Sequence, residues 1–295
     1  MLVTRLWTAM LTRETLNVDT GTDSSIGISV NTGGQERLNA TFPDTWQDDQ
    51  EAGAANLYDV DTTDRRILTE QLTDSSIRLF INGDDAWRPE HVFVFGEGAD
   101  TIKQGATALA IETSVNTQLS TASNEGPSSM PLHLVHQGDN NQTIRRLFIF
   151  MRSIGANEPE PDHATAGDKK TETTGTLQVQ IVSQGRLVVL FEIRDTHQFD
   201  MKNAQANFYT MPVIVPFTRA QLDAESITFR VIGMDNYTPL SLFMFGADRA
   251  SGRPSSMVPL VGIGNWGQQG LPDIEPDPTN GVGAITLPLM ALPSP

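Results

Sequence analysis

Carboxylates in this chain collect where the sequence turns. Asp19-Thr20-Gly21-Thr22-Asp23 leads into the strand-like SSIGISV, and Asp44, Asp48 and Asp49 flank Trp46. Gly83-Asp84-Asp85-Ala86-Trp87-Arg88-Pro89-Glu90 leads into HVFVF. From Asp44 to Asp64 seven acids occur without one Lys or Arg. Loops of this kind have the oxygen chemistry for calcium, which takes roughly six to eight ligands, mixing carboxylates with backbone carbonyls. Asp and Asn also favour turns for local hydrogen-bonding reasons. Composition alone therefore leaves cation sites and solvated turns both open.

Other chemistries find less support. The histidines are His91, His133, His136, His163 and His197. His133 and His136 alternate with Leu132, Leu134 and Val135 in a strand-like run, with no carboxylate partner close in sequence. The chain has no Gly-x-Ser-x-Gly elbow, no His-Glu-x-x-His helix and no glycine-rich phosphate loop opening a helix. Gly262-Ile263-Gly264 lacks both a third glycine and a following helix. Carboxylate pairs of the glycosidase kind stay open on sequence alone. The acids sit in turns, however, so the expectation is a protein without catalysis.

Twenty Lys and Arg against 36 Asp and Glu leave a net charge of −16 over 295 residues. Nucleic acid is excluded as a non-specific partner, since that binding needs clustered cations to displace counterions. The absence of cysteine removes disulfides, thiolate metal sites and a thiol nucleophile. No run approaches the ~18 apolar residues of a membrane-spanning helix. Met1 to Glu14 lacks the apolar centre and small-residue cleavage site of a signal peptide. The expected location is cytoplasmic, in a virion, or outside the cell by leaderless export.

The elements that must position these loops come in two copies. Asp44–Tyr58 and Asp195–Tyr209 match at seven of fifteen positions: Asp44/Asp195, Thr45/Thr196, Gln47/Gln198, Asp49/Asp200, Ala55/Ala206, Asn56/Asn207 and Tyr58/Tyr209. Chance would give about one. With one deletion the register continues through Gln71-Leu72/Gln221-Leu222, Gly83/Gly233, Asp85/Asp235 and Pro89/Pro239 to Phe93, Phe95 and Gly96 against Phe243, Phe245 and Gly246. Two tandem homologous domains are expected, 1–140 and 141–295, the second carrying an exposed insertion at 155–175. Short β-branched and aromatic runs, such as Ser76–Asn82, His91–Phe95, Leu177–Ser183 and Arg186–Ile193, end at turn residues. Short helical turns are expected within Arg66–Leu72 and Arg219–Ala224. The predicted fold class is all-β, two antiparallel β-sandwiches, with a jelly roll as the alternative the pattern cannot separate. Asn56/Asn207 and Tyr58/Tyr209 are not ligand types and are expected to cap a turn and fill a core. Trp87, matched by Tyr237, is expected in the core, whereas Trp266 fits core or loop.

Three of the acidic motifs, Asp19-x-Gly21-Thr22-Asp23, Asp44-x-x-x-x-Asp49 and Asp85-Ala86-Trp87-x-Pro89-Glu90, occur in an order that resembles the lipoxygenase-homology (PLAT) β-sandwich. The resemblance covers roughly residues 15–96, and 176–246 more loosely. It implies a calcium site (Ca2+) from Asp19, the Gly21 carbonyl, Asp85 and the Ala86 carbonyl. It implies a second from Asp44, Thr45, the Gln47 carbonyl and Asp49. In the second domain the first set is broken, while Asp195, Thr196, Gln198 and Asp200 keep the spacing of the second. Trp46 then either wedges into a lipid surface or folds over its own turn. The resulting expectation is a non-catalytic, calcium-stabilised binding or assembly protein with lipid or protein partners. The alternative is a virion or appendage subunit, a capsid or decoration protein that self-assembles.

Overall fold

Apolar residues at every second position set the strands. In Ile77–Asn82 (IRLFIN), Ile77, Leu79 and Ile81 are buried while Arg78 and Phe80 are half-buried and Asn82 is exposed. That is the period of a sheet with one face in a core. The computed structural model describes residues 1–14, 20–43, 50–99, 106–122, 124–153, 175–193, 206–233 and 236–290. The expected insertion at 155–175 falls almost wholly outside them. The chain divides into two units, Met1–Gln137 with Ser251–Met257, and Gly138–Ala250 with Val258–Met290.

The strands of the first unit are β1 (Leu2–Val3), β2 (Arg5–Thr12), β3 (Ser25–Thr32), β4 (Gln35–Thr41), β5 (Ala55–Asp61) and β6 (Ile67–Leu68). They continue with β7 (Ile77–Asn82), β8 (Pro89–Glu97), β9 (Ala106–Thr113), β10 (Ser129–Pro131) and β11 (His136–Gln137). Two four-stranded sheets carry the unit, ordered β5-β2-β8-β9 and β10-β7-β3-β4. Leu6, Met10, Val92 and Val94 from the first meet Ile26, Ile28, Val30, Ile77, Leu79 and Ile81 from the second in one core. Trp87 closes one end of that core. It is fully buried, exchanges both backbone hydrogen bonds with Leu119, and donates its Nε1–H to Thr12 Oγ1 at 3.0 Å.

The second unit contains β12 (Thr143–Ser153), β13 (Thr176–Ser183), β14 (Arg186–Ile193), β15 (Ala206–Thr218), β16 (Ile227–Ile232), β17 (Pro239–Ala247), β18 (Ser256–Ile263) and β19 (Val282–Thr286). Its sheets are ordered β15-β12-β17-β18 and β14-β13-β16-β19. Setting aside the two-residue strands, this is the same strand order as in the first unit, so both are antiparallel β-sandwiches of one topology. Tyr237 takes the place of Trp87: fully buried, edge-on to Phe229 at 6.5 Å, its hydroxyl 3.0 Å from Ser153 Oγ. Trp266 is also core, with its Nε1–H on the Pro272 carbonyl at 3.0 Å.

The turns are matched as well. The hairpins β3–β4 and β13–β14 pass through Gly33-Gly34 and Gln184-Gly185, all at positive φ, as two-residue hairpins of matching twist require. The helical turns are shorter than expected, single 3-10 turns at Thr69–Gln71 and Arg219–Gln221. The latter is held by a box in which Thr218 N–H donates to Gln221 Oε1 at 2.8 Å.

Candidate functional site

Register brings the acidic loops of the first unit to one end. Thr12 faces Pro89, Leu11 faces Ala55, and Ser25 faces Asn82. The segments after β2, before β5 and between β7 and β8 therefore emerge together. Hydroxyls and amides tie them. Ser24 Oγ accepts the Asp85 N–H at 3.1 Å. Thr22 Oγ1 accepts the Ser24 N–H at 3.0 Å, and the Thr20 carbonyl accepts the Arg88 N–H at 3.1 Å. Gly83 sits at φ 138°, and a Cβ there would lie 2.3 Å from Ser24 Oγ, so the close approach of the two loops depends on glycine.

Of the expected calcium ligands, the described residues include Gly21, Asp85 and Ala86. The Asp85 carboxylate accepts the Asp23 N–H through Oδ2 and the Ala86 N–H through Oδ1, each at 3.0 Å. The Asp85 loop and the loop holding Gly21 are thus joined through backbone amides. Gly21 packs against the backbone of Gln50–Ala52. Asp19, Asp44, Thr45, Gln47 and Asp49 lie outside the described residues, as do Trp46, Asp195, Thr196, Gln198 and Asp200. Among the described residues no three His, Asp or Glu converge as a metal-binding group. Asn56 Oδ1 accepts the Gln50 N–H at 3.2 Å. Tyr58 is buried, stacks on Phe42 at 4.6 Å and accepts the Gln50 amide at 2.6 Å. The shared Asn and Tyr of this block are structural here; in the second unit Tyr209 instead donates to Asn207 Oδ1 at 3.1 Å.

Three features escape sequence reading. His133 does have a carboxylate partner: its Nδ1 and its backbone N–H both reach Glu112 Oε1. Glu112 is on β9, 21 residues away in sequence.

The second is Glu97, at the end of β8, the one buried acidic side chain among the described residues at 4% exposure. Trp7 Nε1–H donates to its Oε2 at 2.8 Å, and its Oε1 has no partner. Burial raises its pKa, against the opposing effects of the Trp7 hydrogen bond and the Arg5 charge. Trp7 stacks with Phe95 at 6.1 Å, and Arg5 lies over Trp7 at 6.0 Å while pairing with Asp59 at 3.2 Å. The matching place in the second unit keeps the cation and ring, Arg146 at 4.7 Å over Phe148, but has Ala247 where the acid stands.

The third is an apolar edge on the second unit. Ile144 faces Phe217 and Arg146 faces Pro212, so 213–216 on β15 stand opposite Arg145 alone and leave the ladder. Ile214 there is 60% exposed. Leu187 and Leu190 on β14, the edge strand of the other sheet, are 37% and 46% exposed. The signal in sequence is Pro212-Val213-Ile214-Val215-Pro216, an apolar run bounded by prolines.

Fold and geometry together define a class, an all-β protein of antiparallel sandwiches. No family model and no curated protein matches the chain. Among solved structures it has a slight likeness to the paired C2 domains of extended-synaptotagmin 2, at 10% identity and a TM-score of 0.15, covering 82% of this chain and 79% of that one.

Glu97 makes stability depend on pH. With its folded pKa above its unfolded value, the unfolded chain releases this proton first. Stability is therefore lost as pH rises from the ordinary Glu range through the folded pKa. Melting curves of wild type and Glu97→Gln across that window should show the variant gaining on wild type by several degrees toward neutral pH. A gap that does not change with pH contradicts the assignment.

Proposed function

We propose that the chain is a non-catalytic binding and assembly protein, built from two copies of one ancestral β-sandwich and docking a protein partner on the apolar edge of the second unit. The exposed edge carries this reading. Burying a large aliphatic side chain contributes about 1.5–3 kcal/mol, and Ile214, Leu187 and Leu190 leave that contribution partly unused. Prolines at 212 and 216 remove backbone donors from the same segment, which disfavours strand addition and leaves side-chain docking. A second copy of the chain is the partner that needs nothing else supplied, and it supports the reading of a virion or appendage subunit. Lipid is the weaker partner, since it rests on Trp46.

Calcium belongs to this reading as a stiffener of the first unit's loop end. Asp85 and the carbonyls of Gly21 and Ala86 would supply part of the shell, with Asp19 and the Asp44–Asp49 loop supplying the rest. Support comes from the joining of the Asp85 and Thr20–Ser24 loops, and from the seven acids between Asp44 and Asp64, a stretch without one Lys or Arg. A cation would relieve their mutual repulsion, and binding to the folded state alone would raise its stability by mass action.

Light scattering over a dilution series tests the edge. Wild type should run as a defined oligomer or particle that dissociates on dilution, and Ile214→Glu should be monomeric at every concentration with an unchanged melting temperature. A wild type that is monomeric throughout, and that captures no protein through this edge, removes the proposal. For the metal, calorimetry should show calcium binding to wild type, weakened at least tenfold in Asp19→Asn/Asp85→Asn, with a calcium-dependent rise in melting temperature. No heat and no rise would remove calcium while leaving the edge untouched.

A further inference from the structure

The outer face of the sheet β10-β7-β3-β4 holds a cavity of about 410 Å³, within the range of ligand sites. Its floor and walls include Ser29, Asn39, Arg78, Phe80, Asn82 and Ser129. These residues come from all four strands of the sheet, and the register assembles them in rows. Ser29 faces Asn39 on one side and Arg78 on the other, Phe80 lies between Gly27 and Ser129, and Asn82 faces Ser25.

Two details make this a shaped surface. First, Phe80 covers Gly27: a Cβ there would come within 2.3 Å of Phe80 Cζ, and the Phe80 side chain is half-buried. Second, Arg78 is a cation without an acid. Its Nη2 donates to Ser129 Oγ at 2.8 Å, it has no carboxylate partner among the described residues, and the remaining guanidinium donors stay available. In a chain with 36 acids and a net charge of −16, none of the residues lining this cavity is acidic. Beside it Glu36 Oε2 accepts from Asn39 Nδ2 at 3.3 Å. The wall is held in place by Ile81 N–H on the Ser128 carbonyl at 3.0 Å and by the Thr121 hydroxyl on the Gly83 carbonyl.

We propose that this groove binds a saccharide carrying a single carboxylate. A guanidinium with a free fork suits a carboxylate bidentately. The face of an aromatic ring is electronegative and apolar, and so receives the C–H face of a sugar ring. Ser29, Asn39, Asn82 and Ser129 offer the mixed donors and acceptors that sugar hydroxyls need. The whole-chain charge selects against a polyanion, whereas one acid beside Arg78 lies within the ~8 Å over which local charge dominates at physiological salt. The second unit lacks the site: where Gly27 faces Phe80, it pairs Gln178 with Arg230, which removes both the ring and the space above it.

The test is calorimetry or chemical-shift titration of the full chain with sialyllactose and with glucuronosyl-xylose, using lactose as the neutral control. At least one acidic sugar should bind ten times or more tightly than lactose. Arg78→Gln should lose at least tenfold at unchanged melting temperature, and Arg78→Lys should fall between the two. Phe80→Leu should weaken the acidic sugar and whatever lactose binding exists alike. The proposal is overturned if neither acidic sugar binds, if Arg78→Gln binds as well as wild type, or if Arg78-dependent binding is seen only with phosphatidylserine vesicles.

Discussion

A sheet has two faces, and a sandwich buries only one face of each sheet. In this chain the inner faces follow strict alternation and need little comment: Leu6, Met10, Val92 and Val94 against Ile26, Ile28, Ile77 and Leu79. The other faces and the edges must be handled residue by residue, and the molecule's chemistry lies there. On one sheet of the first unit the second face is aromatic, with Trp7 and Phe93 each against Phe95. It ends on Glu97, whose burial goes against the carboxylate's own preference for water. On the other sheet the second face is hydroxyl- and amide-rich, with Phe80 laid over a glycine and Arg78 unopposed by acid.

The ends and edges follow from the same topology. Joining antiparallel strands sends the loops after β2, before β5 and after β7 to one end, where Thr22, Ser24, Gln50, Asn56 and Asp85 satisfy one another's backbone amides. At the edges, the first unit has no large apolar side chain exposed among its described residues apart from Leu2, whereas the second exposes Leu187, Leu190, Ile214 and Ile232. Two units of one strand order thus differ in surface: a polar loop end and groove on one, an apolar edge on the other.

Much of the architecture could be read from residue types. The register that pairs Phe93, Phe95 and Gly96 with Phe243, Phe245 and Gly246 pairs β8 with β17, which hold the same place in their sheets. Trp87 is expected in the core, and both it and its counterpart Tyr237 are fully buried. What stayed hidden depends on register across long separations. Nothing local in HVFVFGEG marks Glu97 as the acid that receives an indole from residue 7, and nothing near His133 points to Glu112. The groove needs β3, β4, β7 and β10 in alignment before Ser29, Arg78 and Phe80 become neighbours. The exposed edge did carry a local signal, the proline-bounded Val-Ile-Val run. Reading it required knowing that β15 departs from its ladder there. Of the ten residues expected to ligate calcium, Gly21, Asp85 and Ala86 fall among the described residues; the Asp85 carboxylate accepts the Asp23 and Ala86 amides, and Gly21 packs on Gln50–Ala52.

The central claim is that the edge formed by β14 and the 213–216 segment is a contact surface. Amide hydrogen exchange measured at several protein concentrations tests it directly. If the claim holds, exchange at Leu187–Leu190 and Val213–Val215 slows as concentration rises, while the loop amides of Asp23 and Ala86 are unaffected. Exchange at the edge that is independent of concentration, in the presence and absence of cell extract, would contradict it.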